Sequence, residues 1–362
     1  MTKTLGTMFT GGALFDVGAE MAGYESIWGM ERDDRIAKVA RLNDIPVTTT
    51  DVTTVDFSTY RRPNHLHASP PCPNFSIAKA NAVEAPLDIA MADSVCRALV
   101  QFKPDTFTLE NVVGYRNSKS FRLIARCLSD LGYWWDVDNL NAADFGVPQT
   151  RLRLWIRAKR GLLMGYPPSE KWQGWYEAIE DLIPTLPDTN FAPWQIARLP
   201  EEYKTFLIGQ GTYSPVIDQH EPAQTVTANS NQSGIKAFII GGANNSFADA
   251  YPGNGVRWEC EPAHTMMASK STGKIKAFIL DGQTNSHGES ITIRDGENRI
   301  FAISATGGKR PTKAFVGRVV KMTVQALGRF QTVSDSYKGL TVKINGNGCP
   351  PLETKKILET MQ

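Results

Sequence analysis

The chain has 362 residues, 41% of them apolar and 21% charged, with a formal net charge of +2. That length predicts one full-sized domain plus a smaller one. The composition is that of an ordinary globular protein, and no apolar run reaches the length that crosses a bilayer. The five cysteines are odd in number and contain no Cys-x-x-Cys, which argues against a disulfide framework or a zinc site. The opening Met-Thr-Lys-Thr-Leu-Gly lacks the apolar core and cleavage site of a signal peptide, so a cytoplasmic setting with reduced thiols is expected. Charge is uneven: from Phe301 onward ten Lys/Arg face three acidic residues. A polyanion-facing surface and a merely solvated basic face explain that excess equally well.

Up to about Arg160 short β-rich runs alternate with helical stretches. Residues 5–9, 26–31, 47–52, 66–69 and 106–109 read as strands. Residues 14–22, 33–42, 86–102 and 120–131 carry apolar side chains at helical spacing. Strand and helix in turn predict an α/β fold with a parallel doubly wound sheet. Residues 134–140 and 152–158 extend it, with an antiparallel edge as the expectation.

From Tyr166 the texture turns to Pro, Trp and acidic residues, with one short helix expected over 175–182 and a domain boundary near residue 190. Beyond it lies an internal repeat, Glu-Pro-Ala-Gln-Thr-Val-Thr-Ala from Glu221 and Glu-Pro-Ala-His-Thr-Met-Met-Ala from Glu261, offset by 40 residues. An apolar run recurs at Phe206, Phe238, Phe278 and Phe315, which predicts a small β-rich repeat domain.

The first strand leads into a helix through Met8-Phe-Thr-Gly-Gly-Ala-Leu-Phe, a glycine-bearing turn that lets backbone approach a ligand. Glu31, about twenty residues on, ends the second strand, where a carboxylate can bond both hydroxyls of a ribose. Asp51 and Val52 close the third and suit an adenine edge. Three successive strand ends thus favour a nucleoside cofactor. Cys72, in Ser-Pro-Pro-Cys-Pro, falls just past the fourth strand, at the sheet end where doubly wound folds place their sites. Glu110 ends the fifth strand beside it. A thiolate that adds to C6 of cytosine, with an acid engaging N3, makes C5 nucleophilic, and one Cys and one Glu suffice. Gln149, Arg151 and Arg153 alternate and share one side of a strand, as contact with a base or phosphate requires. His65 and His67 have no ligand partner at metal spacing and read as structural, and Cys96 and Cys127 as core.

In their order, Phe9-x-Gly11, Ser-Pro-Pro-Cys72, Glu110-Asn-Val, Gln149-Thr-Arg151-Leu-Arg153, Arg318 with Gln325 to Tyr337, and Ile-Asn-Gly-Asn347-Gly-Cys-Pro resemble the motifs of the DNA cytosine-C5 methyltransferases over the whole length. The resemblance implies a Rossmann-like S-adenosylmethionine-dependent sheet (1–190, completed by 338–362) and a β-rich target-recognition domain (191–337). It implies that Phe9, Gly11, Gly12, Glu31, Asp51, Val52, Pro71 and Asn347 hold S-adenosylmethionine, released as S-adenosylhomocysteine, with no metal. Cys72, Glu110, Arg151 and Arg153 would be catalytic, and Gln149, Thr265 and Arg318 would meet DNA. The implied partner is double-stranded DNA, flipped at the target base, with the chain acting as a monomer, no membrane association and a cognate restriction endonuclease as a further possible partner. The glycine loop is one residue and one glycine shorter than the family's usual form at Gly12-Ala13-Leu14. The motif after the recognition domain has Gln325 in place of an acidic residue and Val-Ser-Asp in place of Phe-Pro-Asp.

Alternatives fit less well. A zinc cytidine deaminase needs Pro-Cys-x-x-Cys, and Phe75 stands at the second Cys position. A thymidylate-synthase-like enzyme needs no repeat domain. A tRNA methyltransferase of the same family is the nearer rival, and a decayed DNA-binding module would not be expected to keep Cys72, Glu110, Arg153 and Asn347 together.

Overall fold

A computed structural model describes residues 2–71, 84–162, 165–189, 191, 205–209, 215–226, 235–240, 276–281, 292–295 and 313–361. Cys72 and Thr265, and with Thr265 the second copy of the repeat, lie outside the described residues.

The chain divides into two units, the first formed by Met1–Ala178, Glu221–Ser230 and Val324–Gln362. In chain order it begins β1 (Lys3–Met8), α1 (Leu14–Met21), β2 (Tyr24–Glu31), α2 (Asp34–Leu42), β3 (Val47–Thr49), β4 (His65–Ala68), α3 (Pro86–Phe102) and β5 (Thr106–Asn111). Next come α4 (Lys119–Asp130), β6 (Trp134–Asn141), β7 (Leu152–Lys159) and the short α5 (Trp175–Ile179). After the second unit the chain supplies α6 (Val324–Arg329), α7 (Val342–Asn347) and α8 (Pro351–Glu359). Local chemistry starts these helices: the Asp33 carboxylate accepts from Arg35 N at α2, and the Ser118 hydroxyl accepts from Phe121 N at α4. Pro86 and Pro351 open α3 and α8, where a missing N–H costs nothing.

The sheet order is β3-β2-β1-β4-β5-β7-β6. Strands β1 to β5 pair in parallel, and β7 runs antiparallel to both neighbours. The expected antiparallel edge is present: β7 and β6 extend the sheet beyond β5, with β6 outermost. A short connection through the 3-10 turn Ala142–Phe145 can only return the chain antiparallel, and it lays β7 into the place beside β5. Strand β3 is shorter than expected, because Asp51 Oδ1 accepts from the backbone N and the hydroxyl of Thr53 and turns the chain.

Both faces are covered. Leu99, Phe102, Ile124 and Leu128 of α3 and α4 close one side with Leu66, Phe107 and Ile156. Phe15 and Ala19 of α1 and Ile357 and Leu358 of α8 close the other against Leu5 and Trp155. Each such large apolar side chain contributes about 1.5–3 kcal/mol on burial. On the second face His65 bonds Thr106 and Thr108 through its two ring nitrogens, and His67 bonds Thr108 and Ser69. Burial holds His65 neutral, lowering its pKa to about 3, and pushes His67 down as well. Both histidines are structural, as expected from the sequence.

The second unit, Ile179–His220 and Asn231–Thr323, holds β8 (Phe206–Ile208), β9 (Val216–Asp218), β10 (Lys236–Ile240), β11 (Lys276–Asp281), β12 (Thr292–Asp295) and β13 (Lys313–Lys321). Their order is β12-β11-β13-β10-β8-β9, and the pairings among them are antiparallel. The recurrent apolar runs are strands, and they pair with one another: Phe206 lies opposite Phe238 and Phe278 opposite Phe315. Arg318 is in β13, opposite Ile239. The first repeat copy belongs to the first unit instead. Its Ala223 pairs with Gln149, with Ala223 N donating to Pro148 O and Thr150 N to Ala223 O.

Candidate active site

Strand order reverses between β1 and β4, so the loops leaving their carboxyl ends part and open a crevice. The loop after β1 is Phe9 to Ala13. Phe9, Gly11 and Ala13 all have φ near +60°, a conformation that costs a side-chain-bearing residue about 1–2 kcal/mol. Ala13, directly before α1, takes the left-handed position although it is not a glycine. Gly11 has open space where a Cβ would stand. A Cβ on Gly12 would overlap Ile344 of α7.

Glu31 is fixed by backbone. Gly11 N donates to its Oε2 at 3.0 Å and Asp33 N to its Oε1 at 2.8 Å. A carboxylate has about four acceptor sites, so two remain for a diol. Asp51, beyond β3, is oriented by Thr53, and Arg32 stands 3.9 Å from its other oxygen. These contacts hold its carboxyl below the usual range, the Thr53 hydrogen bonds contributing most. Val52 is in the core. The set matches what a nucleoside cofactor needs: a fixed carboxylate next to an uncluttered glycine, with a second carboxylate one strand further on.

Across the crevice β4 runs into Ser69-Pro70-Pro71. Asn111 Nδ2 donates to Pro70 O at 3.0 Å, tying the start of the Cys72 loop to the end of β5. Pro71 is exposed. Beside Asn111, Glu110 is 6% exposed. Its Oε1 lies 3.3 Å from Arg153 Nε and 3.7 Å from Arg151 Nη2, without a hydrogen bond to either among the described residues. The alternation of the arginines thus brings both to one carboxylate. Arg151 is 2% exposed and donates to Gly346 O from Nη1 at 3.0 Å. Burial and the nearby Arg153 charge lower its pKa. Gln149 is wholly buried, and neither its amide oxygen nor its nitrogen has a partner among the described residues. Thr225 of the first repeat copy donates to Thr150 O at 2.6 Å, next to Gln149.

Asn347 ends α7 and is exposed, while its neighbour Asn345 is buried and donates to Leu327 O at 2.7 Å. Three residues at this end of the sheet were not anticipated. Tyr337 donates to the Gly12 carbonyl. Cys349 sits in the core with its Sγ 3.9 Å from Ser69 Oγ, and burial pushes its thiol pKa up. Glu353 of α8 is fully buried and accepts from Trp155 Nε1 at 3.1 Å. One signal was available for Glu353, its i, i+4 spacing with Ile357 on the buried face of α8.

Sheet order, crevice and flanking helices define a Rossmann-like fold with a second, small antiparallel sheet. The chain matches the C-5 cytosine-specific DNA methylase family over residues 4–359 and belongs to that family. It is 32% identical over 203 residues to the Type II methyltransferase M.DdeI of Desulfomicrobium norvegicum, a match covering 50% of this chain and 47% of that one. It is 28% identical over 248 residues to the Type II methyltransferase M.AquIA of Picosynechococcus sp., covering 58% of this chain and 100% of that one. The match to M.DdeI thus spans about half of that relative's length. The fold resembles the Entamoeba histolytica methyltransferase EhMeth, with TM-score 0.57 at 14% identity over 100% of this chain and 98% of that one. It also resembles the S. pombe Dnmt2 methyltransferase, with TM-score 0.57 at 12% identity over 99% and 98%. Among the described residues no helix is long and apolar enough to cross a membrane.

Proposed function

We propose that the chain methylates carbon 5 of cytosine in double-stranded DNA, with Cys72 as nucleophile and Glu110 as the group that engages N3. The observation that carries this reading is the buried Glu110 carboxylate held between Arg151 and Arg153, one residue from the asparagine that anchors the Cys72 loop. The Cys72 thiolate adds to C6, forming a carbon–sulfur bond. Glu110 donates a proton to N3, which takes up the electron pair this addition drives into the ring and leaves C5 enamine-like. When bound, S-adenosylmethionine supplies the electrophilic methyl group. The C5 proton then passes to water as the thiolate leaves C6, and N3 returns its proton to Glu110, which restores the aromatic ring.

Glu31, with its two backbone donors, is assigned the ribose hydroxyls, and Asp51 the adenine edge. Phe9 and Val52 provide apolar surface, Gly11 and Gly12 close backbone approach, and Pro71 and Asn347 the remaining rims. Arg151 acts on Glu110 from within the core, and the more accessible Arg153 steadies both Glu110 and the nucleotide. Gln149 faces the base: an amide buried without partners is costly unless a ligand completes it. C6 is out of reach in a stacked duplex, so the target base is flipped. The small antiparallel unit, with Arg318 and Thr265, is assigned to target recognition, and the protein is taken to act as a cytoplasmic monomer, as in Type II modification beside an endonuclease.

Duplex DNA, single-stranded DNA and tRNA incubated with tritiated S-adenosylmethionine test the reading, with Cys72→Ala as control. Label is expected in duplex DNA and lost in the variant. Label confined to tRNA overturns DNA as acceptor, and label undiminished in Cys72→Ala overturns the nucleophile. 5-Fluorocytosine in a target site is expected to trap a covalent complex.

A further inference from the structure

Between Pro71 and Glu84 lies the segment that bears Cys72. Its near end is tied by Asn111, which donates to Pro70 O. Its far end is tied by Glu84, whose carboxylate lies across the first turn of α4. Lys119 N donates to Glu84 Oε2 at 2.8 Å and Ser120 N to Oε1 at 2.8 Å, and the Ser120 hydroxyl also donates to Oε1. The next N–H of that turn, from Phe121, goes to Ser118 Oγ at 2.9 Å. A helix leaves its first N–H groups without internal partners, and the positive end of its dipole attracts a carboxylate. Caps come as a rule from the residue just before the helix, as Ser118 does here, whereas Glu84 reaches α4 from 35 positions upstream.

Apolar packing does little to hold this end of the segment. Pro86, Leu87, Ile89 and Ala90 at the start of α3 are exposed, and apolar burial on that helix begins at Met91. The Glu84 hydrogen bonds therefore join the entry of α3 to the entry of α4. Both ties also end on one stretch of chain. Asn111 directly follows Glu110, and Lys119 and Ser120 follow it through the 3-10 turn Val113–Asn117.

We propose that Glu84 is a positioning residue for methyl transfer. It anchors the far end of the Cys72 segment to α4, so the stretch that carries Glu110 holds that segment at both ends and keeps the nucleophile in register with the acid. The inference rests on the roles proposed for Cys72 and Glu110, but the anchoring is testable without turnover.

The full chain is compared as wild type, Glu84→Ala and Ser118→Ala. Both substitutions remove an acceptor from the same helix start, but only the first releases the segment. Two rates are read: alkylation of Cys72 by iodoacetamide, followed on its own peptide, and covalent capture on duplex DNA in which 5-fluorocytosine replaces cytosine, with S-adenosylmethionine present. Glu84→Ala should raise the alkylation rate about threefold and slow capture about tenfold, as expected of a displaced reacting group, with affinity for S-adenosylmethionine within about twofold of wild type. Ser118→Ala, a loss of helix cap alone, should leave both rates within about twofold. Glu84→Gln keeps one of the two acceptor oxygens, so it should move both rates in the same directions by less, and it carries the test if Glu84→Ala fails to fold. Rates unchanged in the Glu84 variants, or changed equally in Ser118→Ala, overturn the proposal and leave Cys72 standing as nucleophile. A wild type that captures no fluorinated DNA overturns the nucleophile instead, and the alkylation rates then decide the anchoring by themselves.

Discussion

The phenol of Tyr337 donates its hydrogen bond to the carbonyl of Gly12, joining residues 325 positions apart in the chain. The loop after β1 is therefore braced by a residue that the sequence places in the last tenth of the protein. Gly12 also has no room for a side chain against Ile344, which fixes how closely the two segments meet.

Tyr337→Phe removes that one hydrogen bond and keeps the ring. The expected loss of stability is about 1 kcal/mol. The Gly11 N–H that orients Glu31 lies in the same loop, so affinity for S-adenosylmethionine should fall about three- to tenfold in parallel. Thermal melts and calorimetric titration of the two proteins check both. A lowered melting temperature with unchanged affinity would mean that Tyr337 braces the fold without shaping the cofactor loop.

Glu31→Ala leaves the Gly11 and Asp33 amides without their acceptor and removes the proposed diol contact. Charge-assisted hydrogen bonds of this kind contribute about 1.5–3 kcal/mol, so binding of S-adenosylmethionine should weaken about 10- to 100-fold. Equilibrium dialysis with labelled cofactor measures it. Retained affinity would remove Glu31 from the binding site.

Asp16, at the start of α1, is fully buried and accepts from the Thr7 and Ser26 hydroxyls. Burial raises its pKa from 3.8 to about 7. Between those values the folded state holds a proton that the unfolded chain has released, so stability falls as pH rises through this window. Asp16→Asn keeps an acceptor and abolishes the titration. Its melting temperature relative to wild type should climb from pH 4 to pH 7 and level off above, while other titrating groups, His65 among them, cancel in the difference. A gap that does not change with pH would show that Asp16 is not ionising there.

The helices and most strands of the large sheet are legible in the sequence because each is written in local terms, 3.6-residue spacing for α3 and β-rich runs closed by turns for β1 to β5. The place of β7 is not, because periodicity gives a strand's faces and not its neighbours. Glu110, Arg151 and Arg153 are legible as a set because alternation alone puts the arginines on one side. The burial of Glu353 is not legible, because an acidic residue on a terminal helix reads as solvated and only its register with Ile357 marks the buried face. Tyr337 and Gly12 are joined by tertiary contact alone, which no spacing rule records.

The first copy of the repeat, Glu221 to Val226, lies within the larger unit and hydrogen-bonds the backbone from Pro148 to Thr150, directly before Arg151. The small unit is thus not one uninterrupted insert, since its chain is broken by a stretch that belongs to the larger unit. A graft that exchanged everything between residues 179 and 323 for the equivalent part of a relative would carry away the backbone partner of Gln149 and Thr150 along with the strands of the small unit. The unit of exchange in this protein is two segments, with residues 221–230 kept in place between them.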